Sequence, residues 1–349
     1  MMKKLIAVMA VVLVLFVWVG AEQKLPKPAN KEAAKKIEQA QKAVKKKDLD
    51  GALALMQDVA KLEPNFAPTY LLTGAIYMMK KDYAQALVQY EKALEIKPDY
   101  SEAIADYTNL LNSLGHEKSN QSKPQEAYGY YSRIIKIPNL ANLHKNVFIE
   151  ACFNTGISAF QAQQFEPAIE AFKQLLAVPG VATDAQQHYT LTQYMLGVNL
   201  SMTGLAEESN TYLKKYLDLV GGDTANPYAP VAAYLTAKNE YTLLEAEVGK
   251  ARKDDAITDK RGHVKGLAQA RSSIPKLIEK ALAGNPDIED AHVVLGNYYY
   301  LGGDLDKAIA TYRNLVEKFS TSPAAADYKG FLQKLEEEKK TPEGATEQK

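Results

Sequence analysis

Residues 67–100 have the sequence APTYLLTGAIYMMKKDYAQALVQYEKALEIKPDY, which is 34 residues long. Two amphipathic helical patterns follow one another in it and are joined by a short polar turn. Small residues and tyrosines recur along both patterns at Gly74, Tyr77, Ala86, Tyr90 and Ala93. Small side chains let two antiparallel helices approach closely, while aromatic rings fill the space beside the contact. Pro98 ends the second pattern, because proline lacks the amide hydrogen that a helix needs.

A single helix pair of this kind cannot bury its apolar face alone, so neighbouring copies are expected. The residues Ala52, Met56, Val59 and Pro64 stand 34 positions before Ala86, Tyr90, Ala93 and Pro98. The same register therefore extends towards the N-terminus and predicts a first copy over residues 33–66.

The spacing of Tyr70, Gly74, Tyr77, Ala86, Tyr90, Ala93 and Pro98 resembles the tetratricopeptide repeat. Thr73 departs from that pattern, which usually has leucine there. The resemblance implies an all-α fold. It would be a right-handed α-solenoid of antiparallel helix pairs, with about seven repeats and a C-terminal capping helix.

Further copies of the pattern are carried by Gly156, Ala168, Phe172, Gly197, Gly296, Tyr299, Ala308 and Tyr312. The predicted repeats are 33–66, 67–100, 101–140, 141–180, 183–222, 226–286 and 287–323, of which 226–286 is the most degenerate. A capping helix over 324–340 completes the predicted array at 33–340, and residues 341–349 are expected to be disordered.

The third copy is expected to differ from the second in its length. Gly115 should end its first helix, and a polar insertion over 116–123 should follow. From Ala86 to Ala127 the step is 41 residues rather than 34. We expect the extra residues to lie in longer first helices or in the turns between helices.

Residues 1–21 have the pattern of a secretory signal peptide. Lys3 and Lys4 precede an uncharged apolar run from Leu5 to Val19, and small residues lead to a cleavage site after Ala21. The apolar run of 15 residues is short for a membrane span. An uncleaved membrane anchor is the alternative. Residues 22–32, with Pro26 and Pro28, are predicted to be a linker.

The composition argues against several classes of function. The formal net charge is zero, so nothing suggests a nucleic-acid partner. Cys152 is the single cysteine, which excludes thiolate metal clusters. The chain has no phosphate-binding loop, nucleophile-elbow or zinc-protease motif. We therefore predict a protein that is not an enzyme and that has no cofactor and no metal.

In the family that the chain resembles, the first helices of the repeats line a concave face that binds other proteins. The corresponding groove residues in this chain are Leu71, Met78, Asn109, Phe153, Phe160, Tyr194, Met202, Asn297 and Tyr300. Some family members hold a peptide carboxylate with paired cations, which this chain lacks at those positions. The remaining apolar and amide side chains fit an extended or helical segment of a partner protein.

Three functional hypotheses follow. The first is a non-enzymatic scaffold of the cell envelope that is periplasmic or otherwise exported, or is anchored in the inner membrane through an uncleaved N-terminal segment. The second is a structural subunit of an envelope machine for assembly, secretion or pilus biogenesis. The third is an enzyme or polysaccharide-binding protein that uses the loops at 116–123 and 251–262.

Overall fold

The protein is described here by a computed structural model, which covers residues 26–221, 226–251 and 264–341. These residues form eighteen α-helices and no β-strand. The all-α prediction is therefore confirmed. The predicted signal peptide, the loop at 252–262 and nearly all of the C-terminal tail lie outside the described residues. None of the described helices is both long and apolar enough to cross a membrane.

The chain divides into two compact units between Ala162 and Gln163, within the predicted repeat 141–180. The first unit contains eight helices. They are α1 (Lys31–Lys45), α2 (Leu49–Leu62), α3 (Ala67–Lys80), α4 (Tyr83–Ile96), α5 (Ser101–Asn120), α6 (Pro124–Ile134), the one-turn α7 (Leu140–Leu143) and α8 (Lys145–Gln161). Each long helix packs on the next long helix in chain order. Such nearest-neighbour packing defines a solenoid.

The second unit contains the remaining ten helices. They are α9 (Phe165–Leu176), α10 (Val181–Asp184), α11 (Gln186–Met202), α12 (Ala206–Val220), α13 (Ala229–Ala251), α14 (Lys265–Ala270), α15 (Ser273–Gly284), α16 (Glu289–Leu301), α17 (Leu305–Lys318) and α18 (Ala325–Lys340). The long helices again pack in chain order, and α18 packs on α17. This agrees with the predicted capping helix.

The turn inside each regular helix pair has a repeated design. Lys81 has a left-handed backbone with φ of 62°, and the Asp82 carboxylate then accepts a hydrogen bond from the Gln85 amide at the start of α4. Asp48, which lies 34 residues earlier, caps α2 through the Gly51 amide. Each such cap stabilises its helix by about 1 kcal/mol. The turn has two residues between α3 and α4 and three between α1 and α2, and such short turns favour an antiparallel pair.

Glycine and tyrosine set the distance between paired helices. A Cβ atom placed on Gly74 would lie 2.5 Å from the Tyr90 ring, and one on Gly296 would lie 2.6 Å from the Tyr312 ring. Tyr90 is 1% exposed. The predicted repeat-core alanines Ala86, Ala93, Ala168 and Ala308 and the ring of Phe172 are also buried. Tyr77 and Tyr299 are half-buried and pack against the cores of their units.

The prediction that Gly115 ends a helix is wrong. The helix α5 continues to Asn120, and Gly115 is buried in its interior, where an added Cβ would lie 2.6 Å from the Tyr131 ring. The glycine is needed for close packing on α6 and does not act as a terminator. Residues 116–120 of the predicted insertion are therefore helical, and the turn is limited to residues 121–123.

The same observation explains the longer repeat step. The helix α5 has 20 residues where α3 has 14, and its turn to α6 has three residues where that between α3 and α4 has two. In the later copies, the short helices α7 and α10 occupy extra residues before the first helix of the pair. Longer first helices and added turns both contribute, as expected.

The degenerate repeat at 226–286 is built around the long helix α13, which packs on α15. Arg271 lies between α14 and α15 and forms ion pairs with Glu240 and Glu247 of α13. The Tyr298 hydroxyl of α16 donates a 2.9 Å hydrogen bond to the Ala268 carbonyl. These contacts hold α14 in the second unit, although it has only six residues.

Candidate functional site

The predicted groove residues all lie on the first helices of their pairs. In the first unit they are Leu71 and Met78 on α3, Asn109 on α5, and Phe153 and Phe160 on α8. In the second unit they are Tyr194 and Met202 on α11 and Asn297 and Tyr300 on α16. The two sets belong to different units, so each is described by itself.

In the first unit the predicted residues differ in exposure. Leu71 is only 1% exposed and belongs to the hydrophobic core, so it is left out of the candidate surface. Met78, Phe153 and Phe160 are half-buried, and Asn109 is exposed. The predicted residues of this unit thus include three partly accessible apolar side chains and one exposed amide.

In the second unit, two predicted residues have partners inside the unit. The Asn297 amide oxygen accepts a 2.6 Å hydrogen bond from the Tyr312 hydroxyl. The Tyr300 ring meets the Phe331 ring of α18 edge-on, with centroids 5.4 Å apart. The capping helix therefore covers part of this predicted surface.

Of the other two predicted residues of the second unit, Met202 is exposed and Tyr194 is half-buried. Met202 is 58% exposed, and the neighbouring Leu205 is 49% exposed. The ring of Tyr194 packs between those of Tyr216 and Tyr228, at centroid distances of 5.2 and 5.0 Å. Tyr228 is 44% exposed. The apolar patch at the end of α11 is small. Ordinary protein surfaces also expose a few apolar side chains, so this patch alone does not indicate a binding site.

Two asparagines of the first unit have unpaired amide atoms. The Asn112 Oδ1 atom on α5 and the Asn154 Nδ2 atom on α8 are buried, and neither has a hydrogen-bond partner. The two helices are in contact. Buried polar atoms are nearly always paired, so each orphan needs an explanation. One atom is an acceptor and the other is a donor, as a peptide backbone requires.

Sequence reasoning missed both of these asparagines. Asn112 stands 34 residues after Met78, so it occupies the repeat position of that predicted groove residue and could have been predicted with it. Asn154 lies next to Phe153 and is not at a family groove position. Only the structure identifies Asn154, through its buried and unpaired Nδ2 atom.

A cluster of acidic and phenolic groups lies at the start of α5. Glu102 and Asp106 are half-buried and one helical turn apart. Burial, followed by the charge of Glu102, raises the pKa of Asp106 to about 6. The Tyr100 hydroxyl is buried without a hydrogen-bond partner, and burial and these two carboxyls raise its pKa. Burial, followed by the charge of Asp106, raises the pKa of Tyr90 as well.

Groups that could support catalysis are few among the described residues. Cys152 is fully buried, and this burial raises the pKa of its thiol to about 12, so it carries almost no thiolate. Burial lowers the pKa of His292, which packs on Phe319. The part of the chain that the structure describes holds no group of three or more His, Cys, Asp or Glu residues placed to bind a metal ion.

Comparison with known solved structures finds distant similarities. The crystal structure of PilW, a widely conserved type IV pilus biogenesis factor, has 21% sequence identity over 76% of this chain and 100% of its own, with a TM-score of 0.33. PilF of Pseudomonas aeruginosa has 15% identity over 76% and 96%, with a TM-score of 0.40. YrrB, described as a TPR protein with an unusual peptide-binding site, has 14% identity over 68% and 95%, with a TM-score of 0.34.

These TM-scores are too low to establish a shared overall fold, and no curated protein matches the chain. The family model of the tetratricopeptide repeat, however, matches residues 67–100 and residues 267–323. The first match coincides with the paired helices α3 and α4, and the second includes the paired helices α16 and α17. Together with the chain-ordered helix packing in each unit, these matches show that the chain carries tetratricopeptide repeats at residues 67–100 and within residues 267–323.

Proposed function

We propose that the chain is an exported, non-enzymatic scaffold that binds an extended segment of another protein on the face formed by α5 and α8 of its first unit. The observation that carries this proposal is the pair of unpaired amide atoms on Asn112 and Asn154. Leaving such an atom buried and unpaired costs about 1–3 kcal/mol. If each amide turns outward on binding, the N–H and C=O groups of an extended peptide would satisfy both atoms.

Neighbouring side chains support the same use. Asn109 is exposed on α5 and can reach a bound backbone, while Phe153 and Phe160 on α8 are half-buried and present apolar surface. A few apolar contacts flanked by amide groups are suited to an extended segment, since the main chain supplies hydrogen bonds and its side chains supply specificity. Tetratricopeptide repeats are in general modules for protein interaction.

The non-enzymatic part of the proposal rests on chemistry. The only thiol is buried and protonated at neutral pH, and the sequence has no phosphate-binding-loop, nucleophile-elbow or zinc-protease motif. Export rests on the pattern of residues 1–21 alone, which has a basic start, an apolar run and small residues before Glu22. An envelope location follows from that pattern.

Site-specific photo-crosslinking in living cells tests the binding face. A photoreactive residue at Asn109 should capture a partner protein, because this position is exposed and lies one helical turn from Asn112 on α5. Val88 on the second helix α4 is 51% exposed and is the matched control position. Equal capture at Val88 and Asn109, or none at Asn109, would contradict binding on the α5 and α8 face.

Two substitutions then separate binding from folding. Asn112→Leu and Asn154→Leu each remove an unpaired amide at similar volume, so the folded state should be as stable as before or more stable. Binding of the captured partner should nevertheless weaken by about tenfold, as expected when one good hydrogen bond is lost. A variant that binds as tightly as the parent would remove that asparagine from the site.

A further inference from the structure

Glu102 and Asp106 present two carboxyl groups on one side of α5. They are four residues apart, so their side chains are neighbours on the helix surface. Both are half-buried. Like charges at this spacing destabilise a helix, and burial adds a cost for each charge that has no counter-ion.

The tyrosine hydroxyls of the preceding repeat extend this acidic pair. Tyr100, in the turn before α5, is 3% exposed, and its hydroxyl has no hydrogen-bond partner. Burial, followed by the charges of Glu102 and Asp106, raises the pKa of that hydroxyl, so it lies close enough to sense both carboxyls. Burial, followed by the charge of Asp106, also raises the pKa of Tyr90 on α4. Two carboxyls and two phenol oxygens therefore lie within reach of one another's charge.

Folding alone does not account for this group. Glu102 lies in the first turn of α5, where a carboxylate is favoured by the helix dipole. Asp106 lies beyond that turn and receives no such benefit. Within the described residues, neither carboxyl has a hydrogen bond or an ion pair. Among the described residues, the charge that raises the pKa of Asp106, after burial, is the like charge of Glu102.

We propose that Glu102 and Asp106, with the Tyr100 and Tyr90 hydroxyls beside them, form a binding site for a basic side chain, lysine or arginine, of the bound partner segment. The ammonium or guanidinium group would supply the counter-charge that both carboxyls lack. A cation with several N–H donors suits a site of carboxylate and phenol oxygens. This inference rests on the proposed function, because it assigns the chemistry of one residue in the bound segment.

The site lies on the helix that carries the proposed backbone contacts. Asn109 follows Asp106 by three residues on α5, and Asn112 follows Asn109 by three more. A segment that runs along α5 would therefore meet the carboxyls first and the amides next. The position of the cation within the segment sets its register, as charged pairs do at other interfaces.

The probe is an alternating alanine–lysine nonapeptide, compared with the same peptide in which every lysine is N-ε-acetylated. Acetylation keeps the length of the side chain and removes its charge. The charged peptide should bind the full-length protein about tenfold more tightly than the neutral one. Carboxyl-carbon NMR should also show that the charged peptide lowers the pKa of Asp106, because a cation favours the ionised form.

Matched variants separate the site from general attraction between charges. Asp106→Asn and Glu102→Gln should each weaken binding of the lysine peptide by about tenfold. Glu95→Gln removes one negative charge from an exposed position on α4 and should change binding by less than about twofold. Thermal unfolding of each variant confirms that it is folded.

Two results would overturn the cation site. One is that Asp106→Asn and Glu95→Gln change binding of the lysine peptide equally. The other is that the acetylated peptide binds as tightly as the charged one. In both cases the proposed function stands if Asn154→Leu still weakens partner binding. It fails separately if crosslinking at Asn109 captures nothing.

Discussion

The Tyr90 ring lies directly over Gly74, so the second helix of the repeat at 67–100 sits closer to the first than any side chain at position 74 would allow. A Cβ atom there would be 2.5 Å from the ring. Tyr90 is fully buried, and its neighbours in the core leave it little room to move. The same glycine-to-ring contact occurs at Gly115 and Tyr131.

We expect Gly74→Ala to destabilise the protein. The added methyl group overlaps the Tyr90 ring, and overpacking of this kind costs about 1–3 kcal/mol, which exceeds the gain of about 1 kcal/mol from alanine's helix propensity. Gly129→Ala is the matched control, because Gly129 lies inside α6 with nothing within 4 Å of an added Cβ. Urea unfolding should show a loss for Gly74→Ala and a small gain for Gly129→Ala. Equal effects would contradict the close contact.

The fold could be predicted from the sequence because the main sequence signals for this fold are local. The small residues and tyrosines recur at fixed spacing, and Pro98 marks an end that can be seen without knowing any tertiary contact. The prediction for Gly115 was wrong because its role depends on a tertiary contact. Glycine weakens a helix locally, but the packing of Tyr131 requires it there, and this contact overrides local preference.

The candidate site was less predictable than the fold. Family positions placed Asn109 on an exposed face, but they also named Leu71, which is buried in the core. Spacing alone could have named Asn112 but not Asn154, and neither spacing nor composition shows that their amide atoms lack partners. Hydrogen-bond satisfaction depends on which side chains meet in space, and a spacing rule carries no information about that.

Arg271 should contribute substantially to the free energy of unfolding, although it lies in the short turn between two helices. It pairs with Glu240, whose side chain is only 11% exposed, and with Glu247. Arg271→Gln leaves Glu240 half-compensated by Lys214, and breaking a buried pair in this way costs about 3 kcal/mol. Arg313→Gln, which breaks an exposed pair with Glu336, is the control and should cost less than about 1 kcal/mol. Chemical denaturation measures both, and equal losses would contradict a structural role for Arg271.

Cys152 should resist thiol reagents in the folded protein. Its burial raises the pKa of the thiol to about 12, and the thiolate is the reactive form. With a disulfide reagent at pH 8, we expect labelling to be slower than in urea by about a hundredfold or more. The unfolded protein is the control. Rapid native labelling would mean that α8 opens readily or that the thiol is accessible.

Tryptophan fluorescence tests whether the proposed signal peptide is cleaved. Trp18 is the only tryptophan and lies in the proposed signal peptide. Cleavage after Ala21 also removes two lysines and leaves 40 basic against 42 acidic side chains. The protein recovered from the cell envelope should therefore show no tryptophan fluorescence and an intact mass that lacks residues 1–21. Ala21→Leu should block cleavage, because that site needs a small residue. Retention of Trp18 in membrane fractions of the parent protein would favour the anchor.

Asp106 should make stability depend on pH in a direction opposite to that of paired carboxylates. Its folded pKa of about 6 lies above the ordinary 3.8, so folding favours the protonated form. Its contribution is complete below pH 4 and is lost as the pH rises through 6. The loss is about 3 kcal/mol for a shift of this size. Asn cannot ionise, so Asp106→Asn should gain stability relative to the parent over this range.

The difference in unfolding free energy between Asp106→Asn and the parent, measured by urea unfolding from pH 4 to pH 8, isolates this residue. It should grow from pH 4 to about pH 7 and then level off. Glu95→Gln serves as the control and should differ from the parent by no more than about 0.5 kcal/mol, since its side chain is exposed. A difference for Asp106→Asn that does not change with pH would mean that the carboxyl is solvated. The buried carboxylate would then carry no desolvation cost for a bound cation to offset.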